Sequence, residues 1–169
     1  MKLQVVLTIA LLGSALHPSA PCAEDAVKGA PAAPAQRIFL PNEIAWVDAL
    51  PGLPRKTKVA VLHGDPKAEG PFAMRVLIPA GYSIQPHFHP ADENVTVISG
   101  EVSVGVGEKF DATKGRTLPA GSVSIMPAGL HHFLWTTTGA VIEVHGIGPW
   151  GITYVNPEDD PRGPPPAAK

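Results

Sequence analysis

The sequence is short of charge, of aromatic residues and of cysteine, and no segment repeats its apolar residues with a helical period. Charged residues make up 17% of the chain and the formal net charge is −2. Lysine and arginine form no run or patch, which excludes the electrostatic footprint a nucleic-acid partner needs. The one cysteine, Cys22, lies near the N-terminus. The domain beyond it therefore has no internal disulfide and no thiol chemistry, and must be held by burial, with metal as a possible addition. No alternation of strand and helix is visible, so neither a Rossmann fold nor a TIM barrel fits.

Turn formers are abundant instead. The chain carries 20 prolines and 17 glycines, and short Val/Ile-rich runs recur at 44–47, 58–62, 74–78, 94–99, 102–106, 122–126, 132–136, 141–145 and 152–155. Turn signals separate them: GDP at 64–66, SG at 99–100, and PAG at 79–81, 119–121 and 127–129. This pattern predicts an all-β sandwich or barrel. Residues 108–118 read as one longer polar connection.

The ends read differently. Lys2 followed by an apolar stretch from Leu3 to Leu16 and then small residues has the form of a signal peptide over 1–23, cut after Ala20 or Ala23. The stretch is too short to span a bilayer; the alternative is an N-terminal anchor helix. The expected compartment is periplasmic or extracellular, with no membrane association after cleavage. Residues 24–37, rich in Ala and Pro, read as a disordered lead-in, 38–156 as the domain, and 157–169 as a disordered Pro-rich tail.

The chemistry concentrates in GYSIQPHFHPADENVTVISG, residues 81–100. Alternate residues of a strand share a face, so His87 and His89 project together and Phe88 projects away. Pro90 ends that run, and Glu93 opens the next strand beside the imidazoles. Two imidazoles and a carboxylate on adjacent strands suit a divalent cation. By the same alternation His131 points away from His132 and is read as structural or exposed. His63, before a turn, is read as a surface residue.

The segment resembles the first motif of the cupin superfamily, G-x5-H-x-H-x3-E-x6-G, met here by Gly81, His87, His89, Glu93 and Gly100. The second motif, G-x5-P-x-G-x2-H-x3-N, is met by Gly121, Pro127, Gly129 and His132, with Thr136 in place of Asn. The resemblance implies a single cupin jelly-roll barrel with the metal near one mouth. It also implies His87, His89, Glu93 and His132 as ligands to one divalent ion: Mn²⁺, Fe²⁺, Ni²⁺, Cu²⁺ or Zn²⁺. Homodimers are common in the superfamily, so a homodimer is expected.

Around that site, Thr136 and Leu134 share the parity of His132 and are expected to line the pocket. Glu143 and His145 share a face of their strand; if it is inward, they are second candidates for proton transfer beside Glu93 and Thr136. Arg75 lines the pocket as an anion clamp if buried, and is ordinary if exposed. Phe88, Phe133 and Trp135 have the wrong parity for the metal face and are expected to pack, including between subunits. HGIGPWGITYVNP at 145–157 is read as the last strand and a lid edge, without an assigned role. Open positions on the ion point to an oxygenase-type enzyme acting on a small oxygen-chelating molecule. The alternatives are a non-catalytic metal- or ligand-binding cupin and a metal-dependent isomerase or lyase.

Overall fold

The computed structural model describes residues 35–163. The chain divides into two units, 1–37 and 38–169; the signal-peptide segment, most of the lead-in and residues 164–169 of the tail lie outside the described residues. Among its described residues the second unit contains ten strands: β1 Val47–Asp48, β2 Lys58–His63, β3 Gly70–Ile78, β4 Tyr82–Phe88, β5 Glu93–Val106, β6 Gly115–Pro119, β7 Val123–Met126, β8 His132–Thr136, β9 Ala140–Gly148 and β10 Thr153–Tyr154. Short 3-10 turns occur at Pro41–Glu43, Ala112–Lys114 and Pro157–Asp159. The all-β reading of the sequence is what the chain forms.

Every pairing is antiparallel, in the order β1-β2-β3-β9-β5-β8-β4-β10, with β6 and β7 both joined to β5. Strand β5 makes the fold a barrel. Its residues 93–100 pair with β7 and β9, and its residues 101–106 with β6 and β8. One long strand thus passes from the first face to the second. The SG at 99–100 is accordingly not a turn between two strands. Gly100 has φ 72° and a register shift lies between Val97 and Ser99, so the same glycine chemistry serves a bulge that bends one strand around a corner. The polar connection at 108–118 is also corrected: residues 115–119 form β6, which pairs with the second half of β5. Its alternation is hidden in sequence because most of its residues are exposed or half-exposed.

Period-two burial fills the interior. Phe72, Met74, Val76 and Ile78 of β3, Val95 and Val97 of β5, and Ile142 and Val144 of β9 face one shared core. Described structure continues past residue 156. Pro157–Asp159 form a turn capped by Asn156, and the Arg162 guanidinium donates to the Ile152 carbonyl at 3.1 Å and to Asp160. The bond from Arg162 to the Ile152 carbonyl ties this segment back to the residue before β10.

The outer face of β8 is covered by the chain itself. Phe133 is fully buried under Phe110, ring centroids 5.0 Å apart, and Trp135 stacks beside it at 5.9 Å. For Phe133 this replaces the expected packing between subunits. Gly105 lies directly under the Phe133 ring, and Gly115 under the Trp135 ring; a Cβ at either would overlap the ring. Phe133 has no free volume to move into, whereas Trp135 is half-buried and can swing out. Gly105→Ala is expected to cost roughly 1–3 kcal/mol in urea unfolding, and Gly115→Ala distinctly less. Equal losses would contradict this packing account.

Candidate metal centre

The two loops that carry the site are stitched to each other. His87 is the penultimate residue of β4, His89 follows its end, Glu93 opens β5 and His132 opens β8. His87 lies opposite His132 in the β4–β8 ladder, and a bulge between Ile84 and His87 sets that register. Gly129 N–H donates to the His89 carbonyl at 2.9 Å, and Ala128 N–H donates to Asp92 Oδ1 at 2.8 Å. The PAG turn at 127–129 therefore fixes the turn at 89–92, which is how two motifs distant in sequence meet.

The four side chains converge. One nitrogen from each of His87, His89 and His132 lies within 4.8 Å of the others, and all three residues are buried. Glu93 Oε2 stands 3.2 Å from His89 Nε2 and 3.8 Å from His132 Nε2, with Glu93 only 5% exposed. Each imidazole is oriented from behind. Nδ1 of His87 meets the Gln85 carbonyl at 2.7 Å, Nδ1 of His89 the Gly151 carbonyl at 2.6 Å, and Nδ1 of His132 the Leu130 carbonyl at 2.9 Å. A carbonyl can only accept, so each Nδ1 carries the proton and each Nε2 presents a lone pair to the centre.

That arrangement is costly unless a cation sits among the lone pairs. Among the described residues His89 Nε2 is buried without a hydrogen-bond partner, although a carboxylate oxygen is 3.2 Å away. The distance suits a hydrogen bond, but two lone pairs cannot make one unless a proton is added at Nε2. A divalent ion would satisfy the three imidazole nitrogens at once, with the Glu93 carboxylate beside two of them, and imidazole nitrogen is a donor that borderline cations accept. The residues therefore fit a bound metal ion.

The electrostatics of the metal-free site agree. Burial, then the neighbouring imidazoles His132 and His89, push His87 down to about 3. Burial lowers His132 as well. Burial alone depresses His89 and raises Glu93, but their mutual hydrogen bond and opposite charges reverse both, leaving His89 raised and Glu93 lowered. A proton shared between His89 and Glu93 thus does part of what a metal ion would do.

The four groups line one cavity of about 30 Å³, walled by Leu53, Val76, Ile84, Met126, Leu134, Trp150 and Ile152 among others. Trp150 forms part of its roof: the indole stacks on His89 with centroids 5.2 Å apart and donates to Glu93 Oε1 at 3.0 Å. Sequence reasoning left this residue without a role. The Gly- and aromatic-rich stretch around it was the available signal, but nothing local says that it reaches Glu93.

The remaining candidates separate. Leu134 lines the cavity as expected. Thr136 has the predicted parity and is buried, but its Oγ1 accepts from Gly139 N–H at 3.0 Å and closes a turn at the far end of β8. Glu143 and His145 are not second-rank site residues: inward positions of β9 are taken by Ile142 and Val144, so both polar residues face out. Arg75 also faces out and pairs with Glu143, Nε to Oε2 3.1 Å. It is no pocket residue because Met74 and Val76 hold the inward positions of β3. His131 is partly exposed, stacks on Phe88 at 5.0 Å and approaches Glu108 at 3.5 Å. His63 is exposed.

Comparison with known proteins identifies the barrel. A family model described as a domain of unknown function, DUF4437, matches residues 40–150. No curated protein matches the sequence. Among solved structures, the polyketide cyclase RemF from Streptomyces resistomycificus is 17% identical, with 76% of this chain and 91% of that one covered at a TM-score of 0.61. A proposed acetylacetone dioxygenase from Methylibium petroleiphilum PM1 is 18% identical, with 76% and 87% covered at a TM-score of 0.54. An uncharacterized double-stranded β-helix protein from Klebsiella pneumoniae is 22% identical, with 70% and 96% covered at 0.51. At these identities the likeness is one of fold, and the fold is the cupin barrel.

Proposed function

We propose, for a chain that belongs to the DUF4437 family and folds as a cupin barrel, that it binds a single divalent metal ion and performs oxygenase-type chemistry on a small oxygen-chelating molecule such as an enol, catechol or keto acid. The observation that carries the metal half is the convergence of three Nδ1-anchored imidazoles and Glu93, with His89 Nε2 left unpartnered in an apolar cavity. His87, His89, His132 and Glu93 would hold the ion, and a redox-active ion held there would supply Lewis acidity and access to dioxygen. The likeness of fold to a proposed acetylacetone dioxygenase supports the oxygenase half.

The residues' own contributions follow from their surroundings. The carbonyls of Gln85, Leu130 and Gly151 keep the imidazoles in one tautomer and raise their basicity. Leu53, Leu134, Met126 and Ile152 exclude water from the centre. Glu93 is the one proton-accepting candidate of the sequence reading that reaches the cavity, and its lowered pKa keeps it ionised.

The test is oxygen uptake by protein reconstituted with Fe²⁺ or Mn²⁺ and offered a β-diketone, a catechol or a 2-keto acid. Uptake matched to substrate loss is the expected result. Turnover without oxygen would make the protein an isomerase or lyase. Tight binding without turnover would make it a binding protein, a reading favoured by one observation: about 30 Å³ holds an ion and a water or two rather than a substrate. The proposed periplasmic or extracellular compartment rests on residues 1–23 and is tested by the N-terminal sequence of the protein from its host. The proposed homodimer is tested by its mass in solution.

A further inference from the structure

We infer that Trp150 is the positioning residue that limits Glu93 to one oxygen at the metal. The inference rests on reading the His87–His89–His132–Glu93 cluster as a metal centre. The indole Nε1–H donates to Glu93 Oε1 at 3.0 Å, while Oε2 is the oxygen that faces His89 and His132. A carboxylate can bind a cation through one oxygen or both. A hydrogen bond to one oxygen fixes the plane of the group and makes that oxygen the poorer donor to a cation, leaving Oε2 to face the imidazoles.

The indole is itself delivered from a fixed backbone. Trp150 N–H donates to the Pro66 carbonyl at 2.6 Å, and the next carbonyl, Gly151, accepts from His89 Nδ1 at 2.6 Å. Gly148 packs so closely on Ala68 that a Cβ there would overlap its carbonyl oxygen. One short segment thus holds two of the four ligands, Glu93 through the indole and His89 through the carbonyl. With Glu93 bound through one oxygen, four donors leave two positions free on a six-coordinate ion; with both oxygens bound, one is left.

Trp150→Phe keeps an aromatic roof over His89 and removes only the N–H. Co²⁺ is the probe. Loss of the bond is expected to weaken Co²⁺ binding about 10-fold, as loss of a partner behind a metal ligand does. It is also expected to shift the visible absorption of the Co²⁺-loaded protein, because a second carboxylate oxygen then takes one of the positions otherwise open to water. A roof that served only as packing would leave the spectrum in place. If the unsubstituted protein fails to bind Co²⁺, the metal-centre reading and this inference fall together. If it binds, and the variant matches it in affinity and spectrum, this inference alone is overturned. Should the variant not fold, hydrogen exchange at the Trp150 indole of the Zn²⁺-loaded protein decides: slow exchange supports the bond, rapid exchange overturns it.

Discussion

Alanine in place of His132 is expected to weaken Co²⁺ or Mn²⁺ binding by about 100-fold or more, at or beyond the upper end of what loss of a partner behind a ligand costs. The neighbouring His131→Ala is expected to leave affinity within about twofold of the unsubstituted protein. The contrast is the point of the pair. The two histidines are adjacent in sequence, but one is 2% exposed among the site nitrogens and the other stacks on Phe88 outside the barrel. Glu143→Gln and His145→Ala should behave like His131→Ala, since both side chains face away from the cavity. Titration calorimetry reads all four. A hundredfold loss corresponds to about 2.7 kcal/mol. It should reappear as loss of most of the metal-induced rise in melting temperature, because an ion that binds only the folded state stabilises it in proportion to the logarithm of its affinity. Similar affinity in His132→Ala and His131→Ala would remove the metal centre from this account.

The second large effect is acid instability of the metal-free protein. His87 titrates near 6.5 when unfolded and is pushed to about 3 when folded, mainly by burial. Between those values the unfolded chain binds a proton that the folded chain refuses. Its contribution is therefore fully present above about pH 6.5 and is lost as pH falls toward 3. Each such proton changes stability by about 1.4 kcal/mol per pH unit. His132, also lowered by burial, acts in the same sense, and Glu93, lowered by its bond to His89, adds a loss below its ordinary value of 4.5. His89 is raised and acts in a different window: its contribution is fully present below 6.5 and fades as pH rises through its folded value. Below pH 6.5 His89 is protonated in both states and adds no slope, so the melting temperature should fall steadily from pH 6.5 downward. His87→Gln should flatten that slope, since its amide can still reach the Gln85 carbonyl and carries no proton to gain. A slope unchanged in this variant would show that acid acts elsewhere.

The sequence by itself determined the grouping of the histidines and the class of fold. Strand alternation places His87 and His89 together and turns Phe88 and His131 away, because a period of two leaves a side chain only two directions. The spacing of the glycines and prolines marks the turns, because glycine reaches positive φ without a steric cost and proline presets the φ of a turn. Only the tertiary structure decided which face of each strand is inside. Glu143, His145 and Arg75 alternate as regularly as any ligand, yet sit outside because Ile142, Val144, Met74 and Val76 take the interior. It also decided that residues 93–106 are one strand bent at Gly100, and that Trp150 reaches Glu93 across 57 residues of chain. Local pattern fixes what a segment can present; contacts between distant segments choose among those options, and no local pattern carries that choice.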